Sequence, residues 1–305
     1  MFIVKYKNWF IGVTILLIVA SLGAVWQKGL NSGIDFTGGS VLEGEYAGVR
    51  PDTDSLTSKV EAVGISPTII QTTGDRGVIV RTRNLSEADR EKLISVLGGT
   101  ASTTNATTTG AAFVQKTFNS VGPSISADLR NRSLWAIVTV IFLIVLYITF
   151  AFRKVSRPVA SWKYGLIAVL TLVHDVVVPT GFAAARGVQV DVLFVTAILA
   201  ILGFSIHDTI VVFDRIRENL RGAGKKETFG ETVGKSLEQT FTRSINTSLT
   251  VVLVLLVLFF KGGGSTHDFA LTLIVGIIAG TYSSIFFASP LLVQFFNWQE
   301  KGGKK

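Results

Sequence analysis

Residues 191–213 read DVLFVTAILAILGFSIHDTIVVF, and this stretch decides the class of the fold. A transmembrane helix needs about 20 mostly apolar residues, and the stretch meets that length. One acidic residue, Asp208, nevertheless lies within its apolar run. Because a charged group at the centre of a bilayer costs about 2.5–3.5 kcal/mol, such a residue needs a partner, water or a functional purpose.

Five further stretches meet or approach the same apolar length. They are residues 9–26, 133–152, 163–184, 241–260 and 268–296. Apolar residues make up 48% of the 305 residues and charged residues only 16%, a combination that is uncommon in soluble globular proteins. The sequence therefore predicts an α-helical integral membrane protein with six transmembrane helices.

The pattern of apolar and polar stretches predicts the domain organisation. A polar segment separates the first two spans, and an amphipathic, basic stretch separates spans four and five and predicts a cytoplasmic loop with a surface helix. Tryptophans at both ends of the first span favour a retained span over a cleaved signal peptide. The predicted parts are 1–27 (N terminus and first span), 28–130 (polar domain), 131–297 (five spans, with the loop at 214–240) and 298–305 (basic tail).

The placement of basic residues predicts the topology of the chain. Outside residues 28–132 there are 18 lysines and arginines, and 16 of them lie in the termini or in the loops that follow spans two and four. Only Arg186 and Lys261 fall in the other two short loops. Cytoplasmic loops carry such an excess, so both termini are predicted to be cytoplasmic and 28–130 extracytoplasmic. Nucleic-acid binding is not expected, because the charge flanks apolar spans.

The sequence offers no site for a metal, a nucleotide or another cofactor. The chain has no cysteine and only three scattered histidines, at 174, 207 and 267. It also lacks the G-x-x-x-x-G-K-[ST] loop that binds nucleoside triphosphates. No enzymatic activity is predicted, and any energy for work must come from the membrane or from a partner.

The polar segment 28–130 predicts a small α+β domain. A capping sequence, Ser86-Glu87-Ala88-Asp89, starts its second helix, and a threonine-rich loop at 100–109 precedes its last strand. The order βαββαβ is the ferredoxin-like arrangement. The predicted strands are 39–46, 67–72, 77–83 and 111–119, and the predicted helices are 54–63 and 87–97.

Three successive spans carry polar residues spaced so that each set lies on one helical face. They are Thr171, His174 and Asp175 in span three, Ser205, Asp208 and Thr209 in span four, and Arg243, Asn246, Thr247 and Thr250 in span five. The three faces are predicted to meet inside the bundle, where the hydroxyls and Asn246 also suit simple helix–helix hydrogen bonding.

Asp208 and Arg243 lie at a similar depth from the same membrane face, so a contact between them is predicted. A carboxylate whose pKa depends on burial and on a nearby arginine can take up and release protons. Protonation of Asp208 would weaken its hold on Arg243 and let two helices shift. His174 and Asp175 are predicted to belong to the same proton-coupling set.

Two stretches resemble signatures of the SecF family. The first is Gly33-Ile34-Asp35-Phe36-Thr37-Gly38-Gly39-Ser40, directly after span one, and the second is GFSIHDTIVVFDRIREN at 203–219. The resemblance covers essentially the whole chain. The motif residues that it assigns are Gly33, Asp35, Phe36, Gly38, Gly39, Asp214, Arg215 and Arg217.

The resemblance implies that the chain is half of an RND-like unit in the bacterial inner membrane. SecF pairs with SecD, works with the SecYEG channel, often alongside YajC and with the SecA motor, and uses the proton-motive force to assist late preprotein translocation. The family's membrane aspartate and arginine fall on Asp208 and Arg243. His207 stands where the family usually has asparagine, and since histidine titrates near neutrality it can tune Asp208.

Two other functions remain open at this point. One is half of an RND-type exporter of small molecules or lipids, although such exporters normally have two six-span halves and two large outer domains. The other is a passive scaffold of the translocon, in which the polar residues only join helices. Replacement of Asp208 by asparagine separates the scaffold from a proton-coupled protein, because a scaffold would support normal export.

Overall fold

A computed structural model describes residues 2–99, 113–151, 161–222, 227–262 and 264–302. The chain divides into two compact units. The helical unit consists of Met1–Asn31 and Ser133–Lys305, and the outer unit consists of Ser32–Arg132. The predicted bounds of the polar domain, 28 and 130, lie within four residues of the bounds of the outer unit.

Helices account for most of the described residues, and the strands lie mainly in the outer unit. In chain order the elements are α1 (Phe2–Lys5), α2 (Lys7–Lys28), β1 (Asn31–Ser32), α3 (Ile34–Thr37), β2 (Gly39–Tyr46), α4 (Thr53–Ala62), β3 (Thr68–Thr73), β4 (Gly77–Thr82), α5 (Glu87–Val96), β5 (Phe113–Val121), α6 (Pro123–Ala151), α7 (Ser161–Arg186), β6 (Gln189–Val190), α8 (Val192–Gly222), α9 (Phe229–Lys261), α10 (Gly264–Ser283), a π-helical turn (Ser284–Ala288) and α11 (Ser289–Gly302).

Six helical segments are long and apolar enough to cross a membrane, which confirms the predicted number of spans. Five of them are the single helices α2, α6, α7, α8 and α9. The sixth is formed by α10 and α11, which the π turn joins into one continuous segment. Helices α7, α8 and α10 supply most of the buried core of the bundle, whereas α2, α6 and α9 leave most of their surfaces exposed.

The structure differs from the predicted loop at 214–240. Helix α8 continues to Gly222 and α9 begins at Phe229, so most of this stretch extends the two spans beyond their apolar parts. A capping box starts α9, because the Thr228 hydroxyl accepts from the backbone N–H of Glu231, whose carboxylate accepts from the backbone N–H of Thr228. The residues 223–226 lie outside the described part of the chain.

Side-chain hydrogen bonds tie these two helical extensions together. Arg215 Nε donates to Gln239 Oε1 at 2.7 Å, and Asn219 Nδ2 donates to Ser236 Oγ at 2.8 Å. Polar residues beyond an apolar span therefore have partners on the neighbouring helix, so both helices continue past their apolar runs. This is the physical reason that polarity alone mispredicted the stretch.

Two glycines bring α10 close to α8. A Cβ atom added to Gly276 would lie 2.1 Å from Cδ1 of Ile201, and one added to Gly280 would lie 3.0 Å from Cβ of Ser205. Small residues four apart allow this kind of approach in membrane helices. The approach places the end of α10 beside the polar residues of α7 and α8.

The outer unit has the predicted ferredoxin-like fold. Its four strands are antiparallel and lie in the order β3-β4-β2-β5, which is the order that the βαββαβ connection produces. Helices α4 and α5 pack on the sheet through one shared core. That core includes Leu42, Leu56, Val60, Val78, Val80, Leu93 and Ile94. The predicted threonine-rich loop at 100–109 lies outside the described residues.

Two adjacent glycines of the first motif turn the chain into strand β2. After the short helix α3, Gly38 has φ +74° and Gly39 has φ +129°, values that residues with a Cβ rarely adopt. A Cβ on Gly39 would also lie 2.6 Å from the carbonyl oxygen of Thr82 on β4. The structure therefore explains the glycine pair by backbone conformation and by its close approach to β4.

Candidate functional site

A buried carboxylate lies where α8 packs against α9. Asp208 is 6% exposed, and the hydroxyl of Ser244 donates a hydrogen bond to its Oδ1 at 2.5 Å. Its second oxygen, Oδ2, is buried and finds no hydrogen-bond partner among the described residues. A buried carboxylate with one oxygen unsatisfied is costly, so this group is a candidate for binding a proton or a partner.

The predicted contact between Asp208 and Arg243 does not form in this chain. Within the described ranges no ion pair joins them, and Arg243 is exposed while its neighbour Ser244 holds the carboxylate. One residue along a helix corresponds to a rotation of about 100°, so Arg243 and Ser244 cannot share a face. Arg243 lines a cleft of about 590 Å³ together with Ile210 and Val211 of α8.

The polar residues of span five that were predicted to line the bundle lie on its outside. Asn246, Thr247 and Thr250 are exposed, as Arg243 is. The buried hydroxyls of α9 are spaced four apart and are those of Thr232, Ser236, Thr240, Ser244 and Ser248. Because α9 carries hydroxyl residues on both faces, spacing alone could not select the inner one.

The predicted residues of spans three and four lie on the inside. Thr171, Ser205 and Thr209 are buried, and each is at most 1% exposed. His207, by contrast, is exposed although it is adjacent to Asp208. The histidine is thus placed on the surface of this chain.

The second motif continues along the exposed extension of α8. Asp214 pairs with Arg217, and Arg215 pairs with Glu218. These ion pairs are partly exposed and join residues three apart, so they stabilise the extension only slightly. They also line the cleft that contains Arg243.

A second buried polar group lies between α7, α8 and α10. His174 and Asp175 are both 0% exposed, and Nδ1 of His174 lies 2.8 Å from Oδ1 of Asp175. Ser283 donates to the same oxygen at 2.7 Å, and Ser205 donates to Oδ2. The carboxylate therefore makes three hydrogen bonds, to side chains of three helices.

Four serines that the sequence pattern did not predict also form buried hydrogen bonds in the bundle: Ser244, Ser248, Ser283 and Ser284. The hydroxyls of Ser284 and Thr209 lie 2.8 Å apart, and those of Ser248 and Thr281 lie 2.6 Å apart. A signal for them exists in the adjacent pair Ser283-Ser284, which interrupts the apolar run of span six. No cluster of three or more histidine, aspartate or glutamate side chains in the described ranges has the arrangement of a metal site.

Comparison with known proteins gives matches over nearly the whole length. Residues 101–298 match the family model of the protein export membrane proteins SecD/SecF, C-terminal, and residues 23–43 match the SecD/SecF GG motif. The protein translocase subunit SecF of Thermobaculum terrenum is 39% identical, and the match covers 98% of this chain and 94% of that protein.

Relatives in which the matching region is part of a longer chain are also found. The protein translocase subunit SecDF of Thermus thermophilus is 34% identical over 93% of this chain, which corresponds to 37% of that protein. The crystal structure of Thermus thermophilus SecDF, described as a translocon-associated membrane protein, superimposes with a TM-score of 0.80 at 32% identity and covers 96% of this chain and 38% of that chain. The family match over residues 101–298 and the 39% identity to a SecF subunit over 98% of this chain show that the chain belongs to the SecF family of protein translocase subunits.

Proposed function

We propose that this chain acts with SecD to couple the proton-motive force to late protein translocation across the cytoplasmic membrane, and that Asp208 binds the proton. The observation that carries the proposal is the state of this carboxylate. It lies inside a membrane span, 6% exposed, with one oxygen bound to Ser244 and the other unsatisfied among the described residues.

The exposed polar face of α9 supports a partner in the membrane. Arg243, Asn246, Thr247 and Thr250 all lie on the surface of this chain, although the apolar part of α9 crosses the bilayer. Lipid is a poor neighbour for an arginine and an asparagine, so a protein that offers polar groups is the better one. We assign this face to SecD, because SecDF of Thermus thermophilus has the matching region within a longer chain.

In this arrangement Arg243 and His207 act at the boundary with SecD. A proton that binds Asp208 neutralises the carboxylate, and the attraction between it and nearby cationic groups is lost. Moving one charge across 100 mV supplies roughly 2.3 kcal/mol, and this energy would drive a shift in the relative positions of two helices. The movement would be transmitted through α9, which holds Asp208 by Ser244.

The remaining partners and the orientation follow from the same proposal. The translocating preprotein passes through SecYEG, and YajC and SecA are further partners. Both termini are placed in the cytoplasm and the outer unit on the opposite side, in agreement with the distribution of basic residues.

Replacement of Asp208 by asparagine tests the proposal. In inverted membrane vesicles with an imposed proton gradient, Asp208→Asn is expected to abolish the gradient-dependent part of preprotein translocation while SecD and SecYEG still co-purify. Glu218→Gln is the matched control, because it removes an exposed carboxylate from the same helix. Normal translocation by Asp208→Asn would establish the passive scaffold instead, and co-purification without SecYEG would favour an exporter.

A further inference from the structure

The His174–Asp175 pair is buried separately from Asp208. Ser283 and Ser205 each donate a hydrogen bond to Asp175, and Nδ1 of His174 lies 2.8 Å from Oδ1 of the same carboxylate. Both carboxylate oxygens are thus occupied. Nε2 of His174 is the one atom of the pair that is buried without a hydrogen-bond partner in the described part of the chain.

The charge of this pair depends on which ring nitrogen of His174 carries the proton, and an ionised Asp175 can only accept the hydrogen bond from Nδ1. A ring nitrogen that donates to a carboxylate carries the proton of the neutral imidazole, which leaves a lone pair on Nε2. With Asp175 ionised, the pair then has a net charge of −1 in an environment that is 0% exposed. An isolated buried charge is costly, and one proton on Nε2 would convert the pair into a neutral imidazolium–carboxylate pair.

The surroundings of the imidazole suit a cation. The rings of Tyr282 and Phe287 each have their centroids 6.3 Å from that of the His174 ring. Cation–π attraction acts within about 6 Å of a ring centroid, so these two rings lie at the edge of its range. The Tyr282 hydroxyl points elsewhere, because it donates to the carbonyl oxygen of Phe10 at 3.3 Å.

Other ionisable groups lie away from the pair on each helix that packs against α7. On α8 the nearest is Asp208, three residues from Ser205 and bonded to α9. On α2 they are Lys7 and Lys28 at its two ends, and Lys28 binds the carbonyl oxygen of Ala185 near the end of α7. On α10 they are His267 and Asp268, in its first turns and about 22 Å of helix before Ser283. On α11 the sequence places its ionisable residues at the C-terminal end. The charge of the His174–Asp175 pair is therefore set by these two residues and by the protons that they bind.

The pair also contacts the π turn of span six. Ser283 immediately precedes the turn, Phe287 lies within it, and Ser284 donates to the carbonyl oxygen of Ser205 at 3.3 Å. π-helical turns inside α-helices occur frequently at functional sites, because they are local departures from the regular hydrogen-bond pattern. A proton on Nε2 of His174 would create an N–H that has no acceptor among the described residues. Protonation therefore favours a rearranged packing in which an acceptor reaches this N–H.

We propose that the His174–Asp175 pair is a second proton-binding site, at Nε2 of His174, and that proton binding there rearranges the π turn Ser284–Ala288. One proton enters, one N–H bond forms, and no covalent bond breaks; the proton leaves by the reverse step. The inference rests on the proposed function, in which protons enter the bundle. It adds a site that lies wholly within this chain, away from the SecD-facing surface.

The first test observes the proton directly. The chain has three histidines, so the variant His207→Asn/His267→Gln, labelled with nitrogen-15 histidine and reconstituted at full length in lipid nanodiscs, reports on His174 alone by NMR. The expected result is a conversion from the neutral ring with the proton on Nδ1 to the imidazolium as the pH falls. Asp175→Asn in the same background should lose the imidazolium signal.

The second test observes the π turn. The chain contains no cysteine, so spin labels can be placed at Trp162→Cys on α7 and Trp298→Cys on α11, which are both exposed. The distance between the labels should change over the pH range in which His174 protonates, and His174→Gln should remove that change. His267→Gln is the matched control and should retain it.

The outcomes separate this inference from the proposed function. If His174 stays neutral at every pH at which the protein is folded, or protonates equally in Asp175→Asn, the second site does not exist. If it protonates while the label distance stays constant, the link to the π turn is wrong. In Asp208→Asn both signals should persist, so a failure of Asp208 as the proton carrier leaves them unchanged.

Discussion

The hydroxyl of Ser244 on α9 lies 2.5 Å from Oδ1 of Asp208 on α8, and both residues are buried. This hydrogen bond joins Asp208 to α9, the helix whose other face carries the exposed polar residues. In the proposed function, α9 is therefore the helix that contacts the carboxylate whose charge changes.

Replacement of Ser244 by alanine should destabilise the bundle and impair coupling. The variant leaves both oxygens of Asp208 without a partner in the described structure, and an unsatisfied buried polar group costs about 1–3 kcal/mol. Thermal unfolding of the full chain in nanodiscs should show a lowered Tm for Ser244→Ala. Thr247→Ala, on the exposed face of the same helix, is the control and should leave Tm unchanged. Equal Tm values for both variants would contradict the assigned role of Ser244.

Replacement of Gly276 by alanine should separate α10 from α8. The added Cβ would lie 2.1 Å from Ile201 Cδ1, and overpacking of a close contact costs typically about 1–3 kcal/mol. Gly203→Ala is the control, because its Cβ would meet no atom within 4 Å. A lower Tm is expected for Gly276→Ala only, and an unchanged Tm would show that α10 does not approach α8 so closely.

Replacement of Gly39 by alanine should destabilise the outer unit. The residue has φ +129°, and a Cβ would lie 2.6 Å from the Thr82 carbonyl oxygen, so both conformation and space oppose the change. Limited proteolysis of the full chain should cleave the outer unit faster in this variant than in Gly48→Ala, where nothing lies within 4 Å. Equal cleavage rates would argue against the strained turn.

Replacement of Asn246 by leucine should weaken the association with SecD while leaving this chain stable. The residue is exposed on the polar face of α9, so an apolar side chain removes hydrogen bonding to a partner without disturbing the core. The measurement is the amount of SecD that co-purifies. Val254→Leu, 69% exposed in the apolar part of α9, should retain SecD fully. Equal losses would assign the SecD contact to another surface.

The stability of the outer unit should depend on Tyr46 at alkaline pH. Burial raises the pKa of Tyr46 to about 12, and its hydroxyl has no hydrogen-bond partner in the described structure. Because the folded pKa is above the unfolded value of about 10, its contribution to stability is complete below pH 10 and is lost as the pH rises towards 12. Tyr46→Phe should fold normally and unfold less between pH 10 and 12 than the unchanged chain in denaturant titrations. Identical alkaline profiles would contradict this.

The sequence predicted the architecture well because its signals are local and repeated. Apolar runs of about 20 residues define the spans, and Ser86 caps its helix as expected, since its hydroxyl accepts from the backbone N–H of Asp89. The burial of Asp175 and Asp208 also followed from helical spacing. These features depend on only a few neighbouring residues.

The inner face of α9 could not be predicted in this way. Arg243 and Ser244 are adjacent, both lie near the start of the apolar part, and each has polar residues one turn further along. Packing against α8 decides between the two faces, and packing depends on residues far apart in sequence. The same applies to Ser283, whose role depends on the close contact of Gly276 and Gly280 with α8.

The extensions of α8 and α9 continue the helices that hold Asp208 well beyond their apolar parts. Beyond the apolar run at 241–260, α9 has 12 further residues towards its start at Phe229, or about 18 Å of helix. Hydrogen bonds between Arg215 and Gln239 and between Asn219 and Ser236 make α8 and α9 move together there. From Ser244, at the level of Asp208, to Phe229 the helix measures about 22 Å, so a tilt of about 10° there would move its first residue by about 4 Å. Small displacements beside Asp208 therefore become larger displacements at the start of α9.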